Sequence, residues 1–227
     1  VATFVLIHGA ADVGWYWHLL EAELRARGHD TVAPDLPCDD DAAGLDEYVD
    51  TVAAAIGDRT DLVVVGHSLG GFSAPLVADR VGADTLVLVA GMIPAPGEPP
   101  NDWWGNTGYS AASEAHARQE GYADEKDDPF VTFYNGVPRK LAQQAMGKER
   151  RQSDTWMAAP WPLDAWPAVP TKFVVCRDDC FFPPDFLRRL ATERLGVTPD
   201  EIDGGHCAAL SHPGQLADVL EKYASKT

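Results

Sequence analysis

Basic residues are scarce in this chain. Eighteen Lys and Arg stand against 35 Asp and Glu, giving a formal net charge of −17 and a pI near 4.6. Without a basic stripe to neutralise phosphates, no nucleic-acid partner is expected. An anionic membrane surface is disfavoured for the same reason, and the acidic excess reads as solvated faces that keep the protein soluble. At most it steers highly anionic substrates away. Cysteine is also sparse: Cys38, Cys176, Cys180 and Cys207 form neither a zinc-like pairing nor a tight even framework. Reduced thiols in a cytoplasmic protein are therefore expected. No apolar run reaches the length of a membrane span, and no leader segment is evident. Internal repeats and low-complexity segments are missing as well. These absences leave no reason to expect a cofactor or a metal.

What is present suits one globular unit. The 227 residues are 45% hydrophobic, enough for a sizeable core with room for an insertion. Thr3–Ile7, Asp30–Ala33, Leu62–Val65 and Asp84–Val89 read as strands. Between them the spacing predicts helices over Trp15–Arg27, over Leu45–Ile56 and over Phe72–Arg80. This βα alternation predicts a mostly parallel sheet with helices on both faces, an α/β fold. The rhythm breaks after Gly91. Residues 92–170 hold no comparable strand, but ten prolines and five of the seven tryptophans. Short helices are expected near 111–120 and 139–146, and the whole segment reads as an inserted helical lid. A few of its aromatics should line an apolar pocket, while most should pack the lid onto the body. Strand character returns at Thr171–Cys176 and Thr198–Ile202, with helices starting near Pro184 and at Pro213. The core is thus assigned to 1–91 and 171–227, and the lid to 92–170. The acidic run holding Asp35, Asp39, Asp40 and Asp41 is expected to be a solvated loop rather than a cation site.

The organising stretch is Asp61–Gly71. An apolar strand runs into Gly66-His67-Ser68-Leu69-Gly70, and a helix follows. Strand, Gly-x-Ser-x-Gly, helix is the pattern of a nucleophile elbow. So sharp a turn strains the serine backbone and leaves no space for Cβ atoms at the flanking glycines. A serine hydroxyl needs a base, and the base needs an orienting acid. Downstream strands deliver Asp178-Asp179 and then His206 to loops at their carboxyl ends. The order is Ser, Asp, His, with both aspartates open as the acid. His67 is expected to be structural. Cys180 and Cys207, beside the proposed acid and base, lack a nucleophile's setting.

With these residues in place, the chain resembles the α/β-hydrolase superfamily over its whole length, and within it the small esterase and hydroxynitrile lyase group that includes plant methylesterases. The likeness is carried by His8-Gly9-Ala10 with Gly14-Trp15-x-Trp17, by Gly28-His29, by Asp35-Leu36-Pro37, by Gly66–Gly71 and by Gly205-His206. It implies Ser68 as nucleophile and His206 as general base; His8 is expected to fix the loop after the first strand. It selects Asp179 over Asp178, because the superfamily acid stands four residues before a proline, here Pro183. It implies an oxyanion hole formed by the backbone N–H groups of Ala10 and Leu69. The expected function is a serine hydrolase acting on a small, mostly apolar ester or lactone, whose substrate-binding residues the sequence leaves unassigned. The alternatives are hydroxynitrile lyase-like chemistry, a C–C hydrolase, a cofactor-free oxygenase, or a non-catalytic ligand-binding protein. Related lyases carry threonine where Gly9 stands and lysine where Cys207 stands, and both departures favour ester cleavage. Ser68 also disfavours dehalogenase and epoxide hydrolase chemistry, which place aspartate at the elbow. Expected partners are a small-molecule ester and no nucleic acid or membrane; a homodimer is left open.

Overall fold

The computed structural model describes residues 1–225. Its six strands are β1 (Thr3–Ile7), β2 (Asp30–Val32), β3 (Leu62–His67), β4 (Thr85–Val89), β5 (Thr171–Cys176) and β6 (Asp200–Ile202). They form one sheet in the order β2-β1-β3-β4-β5-β6, and every pairing is parallel. The apolar runs of β1, β3, β4 and β5 explain this. Phe4–Ile7, Val63–Val65, Leu86–Val89 and Phe173–Cys176 are all buried, as strands covered on both faces must be. Helices α1 (His18–Ala26), α2 (Leu45–Ile56) and α3 (Gly70–Val81) link the first four strands.

The first helix starts later than the periodicity of Trp15–Arg27 suggests. Gly14–Trp17 is a 3-10 turn, and the α-helix proper begins at His18. Gly14 sits where a Cβ would lie 2.0 Å from the Ala33 carbonyl oxygen, so the loop after β1 is clamped against the end of β2.

Between β4 and β5 the chain leaves the sheet through α4 (Pro100–Thr107), α5 (Tyr109–Glu120), α6 (Pro129–Thr132) and α7 (Arg139–Met146). The helices expected at 111–120 and 139–146 are present. The two that begin at Pro100 and Pro129 were not foreseen, because their proline-rich flanks read as loop. Each proline occupies the first helical position, where its missing N–H costs nothing. Four of the five tryptophans here serve packing. Trp103 and Trp161 are fully buried and donate to the carbonyls of Ile93 and Phe72, Trp156 is buried against Tyr48, and Trp166 donates to Thr171.

Helix α8 (Pro184–Leu195) follows β5. After β6 a short α9 (Ala208–Ser211) precedes α10 (Pro213–Ala224). Among the described residues no helix is long and apolar enough to cross a membrane. The acidic loop after β2 is exposed but not simply solvated: Arg150 pairs with Asp39 at 3.3 Å and Arg151 with Asp41 at 2.7 Å, which ties the end of the insertion to the body.

Sheet order fixes where a site can form. The chain runs from β1 outward to β2, then crosses back to β3 on the other side of β1. Loops leaving the carboxyl ends of β1 and β3 diverge there, opening a crevice at a topological switch point.

Candidate functional site

Ser68 caps β3 with φ of +52°, the left-handed region that a non-glycine residue enters at a cost of roughly 1–2 kcal/mol. The turn around it is paid for by missing side chains. A Cβ on Gly66 would lie 2.6 Å from Ala74 Cβ, and one on Gly71 would lie 1.8 Å from the Met92 carbonyl oxygen. The Ser68 carbonyl accepts from the N–H groups of Gly71 and Met92, locking the turn between β3 and the residues after β4.

Ser68 Oγ lies 3.1 Å from His206 Nε2, and His206 Nδ1 lies 2.9 Å from Asp179 Oδ2. A carboxylate only accepts, so the imidazole proton sits on Nδ1, leaving Nε2 free to accept from the serine hydroxyl. The other Asp179 oxygen accepts from the N–H groups of Phe181 at 2.8 Å and Phe182 at 2.9 Å. Asp179 and His206 are both buried. Asp178 faces elsewhere: its Oδ2 accepts from Gly204 N–H at 3.1 Å. The structure therefore brings Ser68, His206 and Asp179 into one hydrogen-bonded chain and leaves Asp178 outside it.

The loop after β1 is set by His8. Its Nε2 accepts from Leu36 N–H at 3.0 Å, so Nδ1 carries the proton and donates to the Gly9 carbonyl at 2.8 Å. A trans peptide points its N–H opposite to its C=O, so holding the Gly9 carbonyl also aims the Ala10 N–H. Ala10, Leu69, Ser68 and His206 line one cavity of about 440 Å³. Among the described residues, neither the Ala10 N–H nor the Leu69 N–H donates to another group. Gly9 matters here too: a Cβ would lie 3.0 Å from Ser68 Cβ, so a larger residue at this position would crowd the serine.

Burial holds the His8 imidazole down at about 4, so it is neutral at neutral pH. The linkage has a definite sign. The unfolded chain takes up the proton first as pH falls below about 6.5, so the stability due to neutral His8 is present above that value and is lost toward pH 4. At about 1.4 kcal/mol per unit this amounts to roughly 3 kcal/mol. In urea titrations, the stability difference between wild type and His8→Gln is expected to shrink by that amount between pH 7 and pH 4. A difference constant across that range would contradict this role for His8.

The remaining histidines and thiols divide clearly. His67 is buried, stacks on Tyr16 with ring centroids 4.8 Å apart, and donates from Nε2 to the His206 carbonyl at 2.8 Å. Burial and the neighbouring His206 keep it neutral. It thus braces the loop of His206 from below. His212 contacts Ser211, and His116 packs on Tyr122. All four cysteines are free. Burial pushes the Cys207 thiol well above its usual range and Cys180 up to about 11, so neither is a ready thiolate. Among the described residues no group of three His, Cys, Asp or Glu side chains is placed to hold a metal.

Sequence reasoning missed a set of supports. Asn135 Nδ2, Tyr122 OH and Tyr109 OH donate to the carbonyls of Asp178, Cys180 and Phe181 at 2.7, 3.0 and 2.9 Å. Three side chains of the insertion thereby hold the loop that carries Asp179. The lack of a side chain at Gly205 admits Asn135, whose Oδ1 would lie 2.4 Å from a Cβ there. Nothing in the periodicity marks these residues. The only hint was a glycine immediately before His206.

Comparison with known proteins agrees with this fold. The model of the alpha/beta hydrolase family matches residues 4–219. Norfluorocurarine synthase 1 from a Strychnos species is 27% identical over 98% of this chain and 95% of its own length. Esterase PIR7B from Oryza sativa subsp. japonica is 26% identical over 98% and 96%. Among solved structures, an extracellular alpha/beta-hydrolase from a Paenibacillus species superposes with a TM-score of 0.81 at 21% identity, covering all of both chains.

Proposed function

Because the chain belongs to the alpha/beta hydrolase family, we propose that it is a serine hydrolase that cleaves a small, mostly apolar carboxylic ester or lactone through Ser68, His206 and Asp179. The observation that carries this reading is the continuous chain Ser68 Oγ–His206 Nε2, His206 Nδ1–Asp179 Oδ2, opening into the cavity. Two features support it: the name esterase among the relatives and the two undonated N–H groups beside Ser68.

Ser68 Oγ attacks the carbonyl carbon while His206 Nε2 takes its proton. Asp179 stabilises the imidazolium through Nδ1–H and holds the tautomer that leaves Nε2 free. The carbonyl oxygen, now negative, sits between the Ala10 and Leu69 N–H groups, an oxyanion hole whose donors are each worth roughly 3–4 kcal/mol in the transition state. Collapse of the tetrahedral adduct breaks the ester C–O bond, and His206 gives the proton to the leaving alkoxide. Water then repeats the sequence on the acyl-enzyme and releases the acid. The 92–170 insertion acts as the lid, since its residues Trp104, Phe133, Tyr134 and Met157 line the cavity. A cytoplasmic location suits the four free thiols.

The walls are mostly apolar, with Leu69, Met92, Trp104, Phe133, Met157 and Phe181 lining them. Each buried methylene is worth about 0.8 kcal/mol, a three- to fourfold gain. For p-nitrophenyl esters, kcat/KM is expected to rise by about that factor per methylene from acetate to hexanoate and to level off as the cavity fills. A flat profile would argue against an apolar acyl site. A relative named a synthase favours a second reading, a non-hydrolytic reaction at the same serine, in which no ester of the series turns over.

A further inference from the structure

The cavity has one polar wall, and its charge is of a single sign. Asp12 and Glu149 line it, whereas no lysine or arginine does. Among the described residues neither carboxylate takes part in an ion pair. The nearest candidate, Arg150, is turned to backbone: its guanidinium donates to the carbonyls of Asp12 and Leu36 and reaches Asp39. Tyr134 OH donates to Glu149 Oε1 at 2.7 Å, fixing that carboxylate at the wall, and Asp12 Oδ1 accepts only from Val13 N–H at 2.9 Å. Burial pushes the Asp12 carboxyl up to about 6 against the lowering effect of that N–H bond, and the charge of Glu149 adds to the rise. Two carboxylates thus line the cavity near one another, neither in an ion pair, and the only positive charge acting on Asp12 is that of Arg150, which does not offset the rise. That arrangement is costly when empty and is relieved by a bound cation. Trp104, Phe133 and Phe181 line the same cavity, and aromatic rings attract a cation as well.

We propose that the substrate carries a cationic centre, a protonated or quaternary amine, which sits against Asp12 and Glu149 while its ester carbonyl sits at Ser68. This names the substrate class of the hydrolase site proposed above and rests on that reading. Chain geometry sets the spacing. Asp12 follows Ala10 by two residues, so their Cα atoms are at most about 7 Å apart. The cation therefore lies a short linker, a few bonds, from the carbonyl. The net charge of −17 adds a long-range pull on cations toward the molecule.

The test is binding to Ser68→Ala protein, titrated by calorimetry at fixed ionic strength with butyrylcholine and with its uncharged isostere 3,3-dimethylbutyl butyrate. The cation is expected to bind at least tenfold more tightly. Adding Asp12→Asn or Glu149→Gln should each cut that preference at least threefold, and the pair should abolish it. Glu149 is exposed, so its variant reads out even if Asp12→Asn fails to fold. Asp58→Asn, an exposed substitution with the same change in net charge, should leave the preference intact. Equal affinity for the two esters, no measurable binding of either, or a preference that survives both substitutions would overturn the proposal. Turnover of butyrylcholine by wild type is read separately. A binding preference without turnover leaves the cation site standing and removes the hydrolase reading.

Discussion

Ser68→Ala is expected to lower kcat for p-nitrophenyl butyrate by about 10⁴- to 10⁶-fold while leaving the protein folded. The hydroxyl is the only group of Ser68 that the proposed chemistry uses, and among the described residues its one side-chain hydrogen bond is the 3.1 Å bond to His206. Alanine meets the same left-handed backbone at position 68 as serine does, so the strain of the turn is unchanged. Far-ultraviolet circular dichroism and the melting temperature should match wild type closely. Turnover within tenfold of wild type would mean that ester cleavage at this cavity does not pass through the serine.

Asp179→Asn should cost about 10⁴-fold in kcat. Asparagine can still accept from Phe181 and Phe182 through its oxygen, so the loop keeps its shape. Its NH₂ then faces His206 Nδ1, which must give up its proton to accept. The imidazole proton moves to Nε2 and points at Ser68, where a base is needed. The adjacent Asp178→Asn changes only the bond to Gly204 N–H and should stay within about tenfold of wild type. The contrast between these neighbours is the informative quantity. Steady-state kinetics of both variants at pH 8 measures it, and equal losses would place the orienting acid elsewhere.

The reach of the sequence follows the range of the interactions involved. Leu62–Val65 reads as a buried strand because its own side chains specify that state, and Gly66–Gly71 reads as a sharp turn because the turn tolerates few residue types. The parallel sheet follows from the alternation of such segments. The choice between Asp178 and Asp179 is different: the residues themselves left both open, and a family resemblance was needed to prefer one. In the structure a difference of one position decides which carboxylate meets His206 and which meets Gly204. The supports from Tyr109, Tyr122 and Asn135 were not legible at all. Each spans 43 to 72 residues and depends on how the insertion returns over the sheet. The same is true of Asp12 and Glu149, which are 137 positions apart and meet only at the cavity. The acidic loop after β2 was read as solvated because the arginines that bind it come from the far end of the insertion.

The central claim is that Ser68 is an activated nucleophile, and covalent labelling tests it most directly. Wild type treated with a fluorophosphonate, analysed by intact mass and peptide mapping, is expected to gain one adduct on Ser68, in step with loss of p-nitrophenyl butyrate turnover. Ser68→Ala should gain none. Failure of the wild type to label, or an adduct on another residue that accounts for the loss of activity, would contradict the account.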